Sequence, residues 1–595
     1  MNQKIHIIEN EEQLRTGMGL IDSSKELGLD TETYANDKTW WSSPHNAEIR
    51  LLQLSNDSDS LLLDFQKIPY ELATEVLGPK LSDPSVIKVL HNAKYDLKFI
   101  KKHLKTDVEG IFDSMLASIL IEGGRKTGKG YHGLEQTLKR YTDLDITKDE
   151  QTSDWSGELT ESQIKYAAMD SQCLLPLREK ITPTLIKLGL KRVAKLEFDF
   201  VLPVAWLELC GFYLDFEEWR KVALESKQKS EETADKIFEL LQPVLPQGNL
   251  FGNETINLDS SQQVMKYFTA LGIPMPEGTR EWMLTPLAAQ YPIVQLLLDY
   301  RGYQKGVTTF GETYEEFINP VTGRIHADYR TIGADTGRTA PSNPNLAQIP
   351  KEDKYRSCFK AQEGNTLVSG DWSQIELRIL ADLAKDKNAI QAFASGVDFH
   401  YAMASKVFRK PIDQVTSEER TFAKRVAFGI PYGLGLDKLA MQCNLPVAEA
   451  SLIRSMYFDE IKAEKRWIDF QKQQVLRTRS ARTVAGRLCL LGFDENDGMQ
   501  RSMVQRKAVN SPIQGSSADI LKRALRLFYN STKHLQDKIK LVNIVHDQID
   551  TETPKDLAEE VANILKDDME KAGKEFLHLV EVKADINISE RYKKD

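Results

Sequence analysis

A strand pattern, Asn365-Thr366-Leu367-Val368-Ser369, runs into Gly370-Asp371-Trp372-Ser373-Gln374. Beyond it, apolar residues recur at helical spacing as Ile375, Leu377, Ile379, Leu380 and Leu383. Asp371 therefore ends a strand just before a helix begins, where a carboxylate on a rigid element can hold a hard divalent cation. On position alone, a turn aspartate ahead of a helix is the simpler reading. A second carboxylate changes the balance. Lys540–Val545 has a strand pattern, His546-Asp547 interrupts it, and Gln548-Ile549-Asp550-Thr551-Glu552-Thr553 resumes alternation before Pro554. This predicts a β-hairpin with Asp547 at its tip. Two strand-end aspartates remote in sequence can converge on metal ions about 3.5–4 Å apart, the arrangement that supports in-line phosphoryl transfer.

The chain of 595 residues is long enough for several domains with ample core. No run approaches the ~18 apolar residues of a membrane helix, and the start carries neither a signal-peptide core nor an Arg-rich transit pattern. The five cysteines are scattered with no CxxC, which predicts reduced thiols and no zinc. The net charge of −9 argues mildly against nucleic acid. Phosphate binding, however, follows where the cations lie and not their sum.

In the N-terminal part, Glu26–Thr33 reads as a strand with Asp30 and Glu32 on one face. Further strands are expected over 49–54, 61–64 and 86–90. Asn92 and Asp96 are four apart on an expected helix, and Tyr166 and Asp170 repeat that spacing on another. Asp30, Glu32, Asp96 and Asp170 come from three elements. Any one alone reads as solvated or capping; together they suit two Mg²⁺ ions and an activated water. Asp113 is expected to be structural.

In the C-terminal part, Thr416 and Glu419 form a capping box that opens a helix. Arg420, Lys424, Phe428 and Tyr432 follow at every fourth residue, so one face is cationic and then aromatic. The helix dipole adds positive potential at the cationic end. A nucleoside triphosphate fits that face; a solvated basic helix with buried aromatics explains it equally well without the two aspartates. Long helices are expected from Phe216 to Leu241, after a Ser260 N-cap, and through Leu296–Arg301. Pro512 argues against one unbroken helix through 506–514.

Three stretches carry a resemblance. Asp371–Arg378 resembles motif A of family A DNA polymerases, Arg420–Gly433 motif B and Val545-His546-Asp547 motif C, in that order. The four N-terminal carboxylates with Tyr166 resemble DEDD 3′–5′ exonucleases. The implied fold is α/β and multidomain: a ribonuclease H-like exonuclease domain over 1–185, then a right-hand polymerase domain over 186–595. Within it the thumb would span about 216–310, the palm about 190–215, 311–400 and 480–595, and the fingers about 401–479. Because the chain opens directly on the exonuclease pattern, no 5′ nuclease is expected.

The resemblance implies template-directed addition of dNTPs to a primer 3′ end, with proofreading, in DNA replication or repair. Two Mg²⁺ ions per site are implied, with Mn²⁺ as a substitute, held by Asp371, Asp547 and the Trp372 carbonyl, and by Asp30, Glu32, Asp96 and Asp170. Tyr166 would orient the attacking water. Lys424 would protonate pyrophosphate; Arg420, His400, Gln374, Phe428 and Tyr432 would bind the nucleotide. Glu376 would gate the sugar beside Tyr432, and Phe428 implies poor use of dideoxynucleotides. Arg338, Arg506, Asn510, Gln514 and His546 would contact primer–template DNA. A monomer without membrane association, in the cytoplasm at the nucleoid or in a viral host's cytoplasm, is expected.

Trp372 departs from the family's tyrosine, Gln548 from its glutamate, and Pro431 should break or kink the motif B helix. A nuclease whose C-terminal half only binds DNA, and a non-catalytic scaffold, are the competing readings.

Overall fold

The computed structural model describes residues 3–125, 127–146, 150, 152–245, 256–429, 435–443 and 445–593. The side chains of Lys38, Phe428 and Gln442 lie outside the described residues. The chain forms two compact units. One contains Met1–Gly211, His326–Ala347 and Glu363–Ile588; the other contains Phe212–Ile325, Gln348–Gln362 and Ser589–Asp595.

The N-terminal part of the first unit is a six-stranded mixed sheet. Its spatial order is Lys4–Ile8, Asp59–Asp64, Ala47–Ser55, Glu26–Ala35, Ile87–Leu90 and Ile111–Asp113. Leu27, Leu29, Leu51, Leu52, Leu54, Leu61, Leu62 and Leu63 are buried, and successive buried leucines show that these strands are covered on both faces. The helix Glu161–Gln172 opens with a Thr160–Gln163 capping box. A Cβ on Gly28 would stand 2.0 Å from the carbonyl oxygen of Ser171. Only glycine lets that helix lie so close, and the approach brings Asp170 over the strand bearing Asp30 and Glu32.

A second sheet in this unit has four strands, ordered Lys540–Val545, Gln548–Pro554, Asn365–Trp372 and Ala584–Ser589. The helix Ala558–Lys574 covers it, and a Cβ on Gly370 would meet Met569 and Leu565 at 2.6 and 3.0 Å. Helices Phe399–Phe408, Ser417–Gly429, Val447–Glu460 and Lys462–Thr478 also belong to this unit.

One expectation fails here. Gly498–Ser531 is a single helix of 34 residues with Pro512 inside it. Proline removes one backbone donor and crowds the preceding turn. Here the loss is outweighed by burial: Ala508, Val509, Ile513, Ala518, Ile520 and Leu521 are all interior. The freed helix keeps Arg506, Asn510 and Gln514 on one stripe.

In the second unit, Phe216–Leu241 packs along Pro292–Thr308. Their core includes Ile237, Leu241, Phe268 and Leu297. Asp215 caps the long helix through the Glu218 amide at 3.2 Å, and Trp219 stacks on Tyr314 with ring centroids 4.6 Å apart. Ser260 caps Ser261–Ala270, as expected. Among the described residues, no helix is long and apolar enough to cross a membrane, and the five cysteines form no disulfide.

Candidate active sites

The first site lies on the six-stranded sheet. Asp30 and Glu32 share a face of Glu26–Ala35, and Asp170 arrives from Glu161–Gln172; each offers a carboxylate oxygen, all within 4.8 Å of one another. The strand register shifts just after Glu32, a bulge that re-aims the side chains at this end. Burial raises the Asp30 and Glu32 carboxyls well above their usual range, and the neighbouring carboxylates raise them further. Asp96, 3% exposed, accepts a hydrogen bond from Thr31 Oγ1 at 2.7 Å and is pushed up to about 7, chiefly by burial. It stands outside the tight trio, yet its charge acts on Asp30. An all-oxygen donor set under this repulsion fits a hard divalent cation, which would relieve it.

Tyr166 is hydrogen-bonded to Asp170, one turn along the same helix, and burial raises its hydroxyl pKa. Asp113 is structural: its Oδ1 caps Ser114–Glu122 through the Met115 and Leu116 amides at 2.9 and 3.1 Å, and its Oδ2 takes the Ala93 amide at 2.8 Å. Asn92 does not share a helix with Asp96. It takes the left-handed φ of +66°, so the helix starts only at Lys94, with the Asn92 and Ala93 amides held by Asp113.

The second site is set by strand register. Asp371 lies directly opposite Gln548 in the antiparallel pair, and Val545 opposite Gln548 closes the two-residue turn His546-Asp547, with His546 at φ +59°. Opposed Cβ atoms in such a pair are about 4.5–5.5 Å apart. Asp547 is the next residue, so the two aspartates occupy one sheet end. The charge of Asp547 also reaches Glu376, whose carboxyl is raised first by burial and, less, by Asp547. Trp372 turns into the core and donates Nε1 to the Met569 carbonyl at 3.1 Å. Gln548 is buried and donates to Asp550 at 2.6 Å. Neither departure from the family pattern puts its side chain at the turn.

Arg338 Nη2 lies 2.5 Å from Glu376 Oε1. Arg338, Lys522 and His546 line one small cleft. Gln374 enters its helix at φ +57°, and among the described residues its Oε1 is buried without a hydrogen-bond partner, as is Asn510 Oδ1. Arg506 is exposed and bonded to Ser502.

A third cluster is cationic. The Thr416–Glu419 capping box is present, with amide-to-side-chain distances of 3.0 and 3.2 Å. It opens Ser417–Gly429, against which Phe399–Phe408 packs. His400, 1% exposed, is lowered to about 4 by burial and by nearby Arg420 and Lys424, against the opposing pull of Asp398. Arg420 Nη2 binds Asp398 Oδ2 at 2.6 Å, and its guanidinium lies 5.2 Å over the Tyr401 ring. Asp398 and Tyr401 escaped the sequence reading. The signal for Asp398 was its position, an N-cap whose Oδ1 takes the His400 and Tyr401 amides. The side chain of Phe428, and Pro431 and Tyr432 entirely, lie outside what is described.

Two family models match the chain. Residues 5–186 match the 3′-5′ exonuclease family model, and residues 224–594 match DNA polymerase family A. The chain is 32% identical to DNA polymerase I of Aquifex aeolicus over 622 residues, covering 99% of both. It is 30% identical to DNA polymerase I of Pseudomonas aeruginosa, covering 83% of this chain and 55% of that one. The chain thus spans about half the length of several other relatives. Its fold resembles a solved structure titled "POL domain of Pol1 from M. smegmatis complex with DNA primer-template and dNTP", with a TM-score of 0.84, 23% identity and 99% coverage of each.

Proposed function

The chain belongs to DNA polymerase family A and carries a 3′–5′ exonuclease domain, and from that premise we propose how its residues divide the work. The family's domains are metal-dependent. Magnesium, two ions per site with manganese as a substitute, would lower the pKa of the attacking oxygen and stabilise the leaving one. Asp371, Asp547 and the Trp372 carbonyl would hold the ions for polymerisation; Asp30, Glu32, Asp96 and Asp170 would hold those for the exonuclease. The observation that carries this is the register that sets Asp371 opposite Gln548, beside Asp547.

The thumb is 216–310, the fingers 401–479 and the palm the remainder of 190–595. Primer–template DNA lies along Arg338, Arg506, Asn510, Gln514 and His546. These contacts test pair shape through minor-groove acceptors that every base pair shares. The dNTP phosphates meet Arg420, Lys424 and His400; Gln374, Phe428 and Tyr432 complete the nucleotide site. The primer 3′-hydroxyl gives its proton to solvent and its oxygen bonds to the α-phosphorus as the bond to pyrophosphate breaks, and Lys424 gives pyrophosphate a proton. Glu376 occupies the space a 2′-hydroxyl would need. In the first domain Tyr166, held by Asp170, orients the attacking water. The protein works as a cytoplasmic monomer.

Asp547→Ala is the test. Primer extension should disappear while digestion of single strands continues; extension that persists would refute the assignment.

A further inference from the structure

A buried charge cluster lies beneath the Arg338 loop. Lys522 Nζ is 2.5 Å from Glu197 Oε1, and Arg487 Nη2 also binds Glu197 and reaches Asp519 Oδ1 at 2.6 Å. Thr483 Oγ1 donates to the other Asp519 oxygen at 2.5 Å. The four charged side chains are 0–3% exposed. Two cations and two carboxylates make the cluster neutral, as burial demands. They come from three elements: the helix Lys191–Cys210, the loop before Leu488–Leu490, and the helix Gly498–Ser531.

The cluster ends on backbone. Lys522 Nζ donates to the carbonyl of Gly337 at 2.7 Å. Gly337 takes φ +89°, and a Cβ there would stand 2.5 Å from Arg487 Nε. On the adjoining side, a Cβ on Gly515 would meet the Thr336 carbonyl at 2.8 Å. The backbone at 336–337 is therefore pressed onto the long helix, held by Lys522 and walled by Arg487. The next residue is Arg338.

We propose that Lys522, anchored by Glu197 and Arg487, is a positioning residue for primer recognition: it fixes the Gly337–Arg338 backbone so that the Arg338 guanidinium meets the minor groove at the primer terminus. This rests on the proposed role of Arg338. Lys522 is fully buried and acts through the Gly337 carbonyl. The geometry accounts for spending buried charge on a main-chain oxygen, and for a glycine confined by both φ and space immediately before the arginine.

The test is a double-mutant cycle on the full chain, reading the Kd for a labelled primer–template and the ratio of matched to mismatched primer extension. Lys522→Met with Glu197→Gln removes one cation and one carboxylate together, so no buried charge is stranded. Gly337→Ala leaves every charge in place but forces the loop and the Arg487 side chain apart. Digestion of single-stranded DNA reports folding for both. Arg338→Ala should weaken primer–template binding about tenfold. Each loop or cluster variant should do the same alone and add nothing in the Arg338→Ala background. Additive losses, or unchanged binding in the Lys522/Glu197 variant, overturn the proposal and leave the cluster a plain structural element. No effect of Arg338→Ala by itself overturns the role of Arg338, and the proposal falls with it. Should the Lys522/Glu197 variant lose single-strand digestion, Gly337→Ala decides the matter.

Discussion

Arg338 and Glu376 form an ion pair, 2.5 Å between Nη2 and Oε1, that joins the residue proposed for the primer to the residue proposed for the sugar. Neither is fully buried, with side-chain exposures of 28% and 17%, so each can change partner. The guanidinium opposes the burial that raises the Glu376 carboxyl. Nucleotide selection should therefore feel the state of Arg338. Glu376→Ala opens room for a 2′-hydroxyl, and ribonucleotide incorporation relative to deoxynucleotide should rise by at least about tenfold. Competition between rNTP and dNTP on one template measures this; unchanged discrimination removes Glu376 as the gate.

The carboxylates proposed for the exonuclease repel one another. Asp30→Asn should abolish digestion of single strands and leave extension intact. With divalent ions chelated at pH 8, the same change should raise the melting temperature of the N-terminal domain by about 2–4 °C. Added Mg²⁺ should stabilise wild type more than Asp30→Asn. Calorimetry in EDTA and in Mg²⁺ decides; equal responses of the two proteins contradict a metal site there.

Glu464, 4% exposed, is raised to about 8 by burial and by Asp386. Its folded pKa lies above the ordinary glutamate value of about 4.3. Between about pH 4.3 and 8 the folded chain therefore keeps a proton that the unfolded chain releases. Stability must fall as pH rises through that window. Glu464→Gln should flatten this decline, gaining most at pH 8 and nothing near pH 4. Urea denaturation across that range is the measurement, and parallel curves for the two proteins exclude it.

Asp398 holds the Arg420 guanidinium, for which a triphosphate would compete under the proposed function. Arg420→Ala removes a charge-assisted contact, so the KM for dNTPs should rise roughly tenfold or more. Asp398→Asn retains a capping oxygen and weakens only the ion pair, so KM should hold or fall. Steady-state extension over a dNTP series separates them; a higher KM in Asp398→Asn would mean the aspartate positions Arg420 for binding.

Much of the architecture was legible because it is local. The strand Glu26–Ala35, the hairpin at His546-Asp547, the helix Phe216–Leu241 and the Thr416–Glu419 box each arise from periodicity or from hydrogen bonds within a few residues. Asn92 and Pro512 were misjudged because a distant partner decides them. Asp113 captures the backbone before Lys94, and buried surface along Gly498–Ser531 outweighs one absent donor.

The sequence by itself determined which elements form and which end of each bears a carboxylate or a cation, since backbone hydrogen bonding and side-chain spacing act over one or two turns. Only the tertiary structure decided that Asp371 lies opposite Gln548, that Glu376 is the partner of Arg338, and that Lys522 meets Glu197 across 325 positions. Pairing between remote strands and between buried charges depends on which surfaces exclude water together, and that is a property of the packed chain.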